Sequence, residues 1–144
     1  MPKAANQKLK ILYLMKIMLE RTDDDHELTL AEIMAALDGY NITSERKSLY
    51  DDFEALRVFG IDIIKKQDKT VTYHVAGRKF ELPELKLLVD AVQSSKFITR
   101  KKSDELIRKI ESFASVHEAR QLHRQVFVAN RIKTGKAALE QYAD

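Results

Sequence analysis

The stretch TSERKSLYDDFEALRVFG, residues 43–60, most constrains what this chain can fold into. Leu49, Phe53 and Leu56 recur at i, i+4 and i+7, which gives a helix one apolar face. Thr43 or Ser44 can cap its start, and Gly60 stands where a C′ glycine would end it. Arg46, Lys47 and Ser48 fill the first turn, and Tyr50 follows half a turn on. Lys47 then points away from the apolar face, with Ser48 and Tyr50 on its flanks. A helix of this kind can pack along one side and enter a DNA major groove N-terminus first. The same pattern also describes an ordinary amphipathic surface helix, so the flanking segments have to decide between the two.

On the N-terminal side, Ala5 to Arg21 reads as a helix with a broad apolar face of Leu9, Leu12, Tyr13, Met15, Ile17, Met18 and Leu19, and a polar face of Lys8, Lys10 and Lys16. Asp23, Asp24, Asp25, His26 and Glu27 follow as an acidic, solvated loop, with no second ligand set to make it a metal site. Thr29-Leu30-Ala31-Glu32 is a capping box opening a helix to about Asp38, which Gly39 terminates. Tyr40-Asn41-Ile42 is a short turn. Helix, short turn, helix is the helix-turn-helix layout, and equally that of a plain helical hairpin.

After Gly60 the hydrophobic period drops from 3.6 to 2. Ile61 and Ile63, then Val71, Tyr73 and Val75, alternate with polar residues. Two antiparallel strands, roughly 61–66 and 70–75, are expected, joined by the basic turn Lys65-Lys66-Gln67-Asp68-Lys69. Three helices followed by a basic hairpin make a winged helix, in which Lys65, Lys66 and Lys69 can grip phosphate beside the groove. The remaining segment predicts three more helices: from Leu82-Pro83 to about Lys96, from Arg100 (capped by Thr99) to Ala114, and about 116–129. The fold class expected is mainly α with a small β-hairpin: a winged helix-turn-helix domain over 1–78 and a helical linker or dimerisation region over 79–144. Apolar faces in the second region call for a partner, either a second copy or one another.

Composition narrows the function. The chain has 144 residues, 44% of them hydrophobic, with 4 Gly and 2 Pro, which suits a helical globular protein. It has no cysteine, which excludes disulfides and thiolate chemistry and fits a reducing cytosol. The apolar run 9–19 is broken by Lys10 and Lys16 and is too short to span a bilayer, so no membrane association is expected. His26, His74, His117 and His123 form no ligand set, and no phosphate loop, nucleophile elbow or paired-carboxylate site is present, so neither an enzyme nor a cofactor is expected. Net charge is +3 overall, but residues 21–60 hold 4 basic and 10 acidic side chains, net −6. The candidate DNA-reading segment is therefore the most acidic part of the chain. DNA binding requires that its acids face away and its bases face the duplex.

The run ITSERKSLYDDFEALRVFGIDI resembles the N-terminal DeoR-like winged helix of bacterial WYL-domain transcriptional regulators. ELPELKLLVDAVQSSKFIT, KKSDELIRKIESFAS and QLHRQVFVANRIK resemble the linker helices that follow it there. The resemblance covers about Lys8 to Lys133. It implies a cytoplasmic, nucleoid-associated protein that binds double-stranded DNA in a sequence-specific way, controls transcription, and forms a homodimer through residues 79–130. Carried over by position, Thr29, Ser44, Arg46, Lys47, Ser48 and Tyr50 would contact DNA from the helix-turn-helix, and Lys65, Lys66 and Lys69 from the wing. The resemblance ends after Thr134, where GKAALEQYAD replaces the connection into a ligand-sensing WYL domain. A protein-interaction module built on the same fold is the alternative reading. An RNA binder is disfavoured, because no aromatic stacking platform stands out.

Overall fold

Two periodicities, helical to residue 60 and again from residue 82, alternating between them, give a mainly helical chain with one small antiparallel sheet. The computed structural model describes residues 2–126, with side chains from Gln7 onward. The elements are α1 (Pro2–Arg21), β1 (Leu28–Thr29), α2 (Leu30–Asp38), α3 (Arg46–Phe59), β2 (Asp62–Gln67), β3 (Val71–Ala76), α4 (Leu82–Ser94) and α5 (Arg100–Glu111). Residues 116–126 are helical again and are termed α6. Positions 127–129 of the helix expected there, and the stretch GKAALEQYAD, lie outside the described residues. The chain divides into two compact units, Met1–Arg78 with Ser115–His117, and Lys79–Ala114 with Glu118–Asp144.

The first unit is built around one apolar cluster. Leu14, Ile17 and Met18 of α1, Leu30, Ile33 and Leu37 of α2, Leu49, Phe53 and Leu56 of α3, and Ile63, Tyr73 and Val75 of the hairpin are all buried in it. Phe53 stacks on Tyr73 with ring centroids 4.7 Å apart, which fixes α3 against β3. Arg57 Nε donates to the Ile63 carbonyl at 2.8 Å and ties the far end of α3 to β2. Arg78 Nη2 donates to the carbonyls of Leu19 and Thr22, closing the end of α1.

The sheet has three strands in the order β1-β3-β2, one more than expected. Leu28 and Thr29 pair with Tyr73 and Thr72, so two residues read as a helix approach also extend the hairpin. The hairpin strands run Asp62–Gln67 and Val71–Ala76, one residue later than the alternation placed them. The capping box is formed as expected: Thr29 Oγ1 accepts from the Glu32 N–H, and Glu32 Oε1 accepts from the Thr29 N–H. Gly39 follows α2 in a right-handed conformation, and the left-handed residue of the turn is instead Asn41, at φ 62°. Asparagine tolerates that region because its short amide bonds locally. Gly60 closes α3 at φ 122°, a conformation that does favour glycine.

The acidic loop is not wholly solvated. Asp23 is 4% exposed. It accepts from the Asp25 N–H at 2.9 Å, lies 2.8 Å from His26 Nδ1, and accepts the Ser115 hydroxyl. His26 and His117 stack face to face, centroids 3.7 Å apart and planes at 5°.

In the second unit, α4, α5 and α6 bury Leu85, Val89, Ile107, Leu122 and Val126 in a cluster of their own. Glu81 caps α4 in a reciprocal box with Glu84, and Thr99 Oγ1 accepts the Lys102 N–H at the start of α5. Leu87 and Phe97 remain exposed on this unit. No helix among the described residues is long and apolar enough to cross a membrane.

Candidate nucleic-acid interface

Burial divides α3 into two faces as its sequence period requires. Leu49, Phe53 and Leu56 are inside, while Arg46, Lys47, Tyr50, Asp51 and Glu54 are exposed. Arg46 and Lys47 occupy the first turn, where the helix dipole places partial positive charge. The residue flanking the helix is Glu45, in extended conformation and without a side-chain cap, so neither Thr43 nor Ser44 serves as the cap. The Thr43 carbonyl is instead taken by Gln7 Nε2 at 2.9 Å, and Ser44 Oγ is enclosed without a hydrogen-bond partner.

The other expected contact residues fall into different settings. Ser48 is half-buried, and its hydroxyl accepts a hydrogen bond from Lys10 Nζ. Tyr50 neighbours Tyr73; burial first, and then this neighbour, pushes the Tyr73 phenol above its ordinary value. Thr29 is committed to the capping box as an acceptor but keeps its hydroxyl proton to donate.

The hairpin lysines do not form one patch. Lys65 and Lys66 lie within β2, and the turn is confined to residues 68–70. Successive strand residues face opposite sides. Lys65 pairs with Tyr73, so it lies at the exposed end of the sheet face that carries Ile63, Tyr73 and Val75, the face on which α3 packs. Lys66 pairs with Thr72 on the reverse face and sits 3.8 Å from Glu27 of the acidic loop. Lys69 is at the tip.

Six of the ten acids in residues 21–60 have a partner within the fold. Asp52 Oδ2 lies 2.7 Å from Lys10 Nζ, Glu54 Oε2 3.4 Å from Arg57 Nη1, and Glu27 meets Lys66. Glu32 closes the capping box, Asp23 is enclosed by Ser115 and His26, and Asp24 Oδ1 is 4.0 Å from His74 Nε2. Glu45, two residues before Lys47, and Asp51, four after it, are exposed acids. The exposed beginning of α3 thus presents Arg46 and Lys47 between Glu45 and Asp51, while the charges of Asp52 and Glu54 are answered by Lys10 and Arg57.

Sequence reasoning misses Lys10 and Gln7: it counts Lys10 to the polar face of α1 and gives Gln7 no role. No local signal marks them, because their partners are 38 and 36 positions away. Among the described residues, no group of three or more His, Asp or Glu side chains is placed to hold a metal ion. Comparison with known family models, curated proteins and solved structures gives no match.

Proposed function

We propose that this chain is a sequence-specific DNA-binding transcriptional regulator, a winged helix-turn-helix protein with α3 as its recognition helix. The observation that carries the reading is the two-faced α3, seated on its apolar side by Phe53 and Tyr73 with Arg46 and Lys47 exposed in its first turn. The resemblance to DeoR-like regulators supports it. Arg46 and Lys47 would contact guanine edges or phosphate, each good base contact discriminating by ~1–3 kcal/mol. Lys65 and Lys69 would hold the adjacent backbone. A homodimer through residues 79–130 would place two recognition helices on half-sites about 10 bp apart or a multiple of that. A cytoplasmic, nucleoid-associated location goes with this reading.

The test is selection of bound sequences from randomised duplex DNA at near-physiological salt, with an Arg46→Ala/Lys47→Ala protein in parallel. A two-fold-symmetric motif, lost in the double variant, is the expected result. Sedimentation of the free protein as a dimer is expected alongside.

The second reading, a protein-interaction module, draws on one observation. Val58 and Phe59, at the end of α3, are 82% and 75% exposed. Enrichment of no sequence by a folded protein would favour that module over the regulator.

A further inference from the structure

Lys10 belongs to the polar stripe of α1 by sequence, yet it is 6% exposed. Its ammonium donates to Ser48 and lies 2.7 Å from Asp52 Oδ2, close enough for an ion pair though Oδ2 is not aligned as a hydrogen-bond acceptor. One turn earlier on α1, Gln7 Nε2 holds the Thr43 carbonyl. Two side chains from one face of α1 therefore grip the start of α3 on both sides: the segment entering it, and the pair Ser48 and Asp52 one turn apart on the helix. Apolar packing between α1 and α3 needs no charge at this point. A leucine would fill the space without the desolvation cost of an ammonium.

We propose that Lys10 is the positioning residue of the recognition helix. It fixes the direction in which α3 presents Arg46 and Lys47, and it neutralises the Asp52 carboxylate that would otherwise repel phosphate. Lys10 itself touches no DNA. This inference rests on the DNA-binding reading of α3 and adds to it the element that sets selectivity. It also removes one of the carboxylate charges that oppose the approach of the acidic helix-turn-helix segment to a polyanion.

Four proteins test it: wild type, Lys10→Met, Asp52→Asn and the double variant, each first checked for a cooperative melt. Affinity is measured for the selected duplex and for a scrambled duplex of equal length. In Lys10→Met, the uncompensated carboxylate weakens scrambled-duplex binding by about 3-fold. The selected duplex loses about 10-fold more, because base contacts depend on orientation. Asp52→Asn in the Lys10→Met background restores the scrambled-duplex affinity but not the selectivity ratio. An unchanged ratio in folded Lys10→Met would overturn the proposal and leave Lys10 as packing alone. Should Lys10→Met fail to fold, the double variant, which buries no lone charge, carries the same ratio measurement.

Amide hydrogen exchange at residues 46–52 is read without DNA. It is expected to be faster in Lys10→Met and in the double variant. Unchanged exchange there overturns the positioning role by itself, whereas absence of any selected sequence for the wild type overturns the DNA reading instead.

Discussion

Ser115 donates its hydroxyl to Asp23 Oδ2 across 92 positions of sequence. Ser115 and Asp23 are both buried, and Asp23 has further partners in the Asp25 N–H and His26. The order of groups is serine, carboxylate, imidazole, so the serine faces a carboxylate of lowered basicity rather than the imidazole of a Ser–His pair. Its role is to hold the segment Ser115–His117 within the first unit. Ser115→Ala removes a charge-assisted donor and leaves a buried carboxylate oxygen short of a partner, at a cost of about 1–3 kcal/mol. Urea unfolding at pH 7 of the variant against wild type measures it.

That loss should depend on pH. Burial pushes the Asp23 carboxyl up, but the hydrogen bonds from Ser115, His26 and the Asp25 N–H, with the charge of His26, together outweigh it and hold Asp23 below its ordinary 3.8. The unfolded chain therefore takes up this proton first as the solution is acidified. The stabilisation is complete above the unfolded value and disappears as pH falls through the folded one. The difference between wild type and Ser115→Ala should be full at pH 7 and shrink below about pH 4. Equal differences at pH 7 and pH 3 would show that the carboxylate's charge is not involved.

Tyr73 gives the opposite sign. Its phenol is held above the usual 10.0 by burial and by Tyr50. The contribution is present below the unfolded value and is lost as pH rises through the folded one. In an absorbance titration of the 5 tyrosines, one should ionise later than the rest, and Tyr73→Phe should remove that late step. The same substitution removes one hydroxyl without emptying the core, so a stability loss nearer 1 kcal/mol than that of a Phe→Ala cavity is expected.

Much of this architecture could be read from residues close together in the chain. The Thr29–Glu32 box, the Leu49–Phe53–Leu56 face, Gly60 and the alternation through Val75 all depend on spacings of a few positions, so local physics places them within a residue or two. The misses depend on distant partners. β1 is two residues long and exists because β3 pairs with it. Asp23 reads as one more acid in a solvated loop until Ser115 arrives to bury it. Lys10 reads as solvent-facing until Asp52 and Ser48 supply it with partners. Lys65 and Lys66 read as neighbours in a turn, and only the strand register sends them to opposite faces.

Gly60 separates backbone strain from steric clash. Its φ is 122°, and an added Cβ would meet nothing within 4 Å. Gly60→Ala should therefore destabilise through backbone conformation alone, by about 1–2 kcal/mol. Because positive φ is the ordinary region for a D-residue and Gly60 is exposed, a D-alanine introduced at this position by chemical synthesis should recover the loss. Thermal melts of the three proteins decide it, and a D-alanine protein no more stable than the L-alanine one would contradict this account of the turn.

The hairpin lysines offer the sharpest check on how the first unit would lie on DNA. Lys65 shares the sheet face on which α3 packs, Lys69 is at the tip, and Lys66 faces the other way toward Glu27. Removing one lysine that neutralises a phosphate should lower the slope of log affinity against log salt by about 1. Lys65→Ala and Lys69→Ala should each produce that change. Lys66→Ala should leave the slope nearly unaltered, since its partner is a carboxylate and its face is turned from α3. If Lys66→Ala instead flattened the slope and Lys65→Ala did not, the duplex would lie against the outer face of the sheet, and α3 could not be the element in the groove.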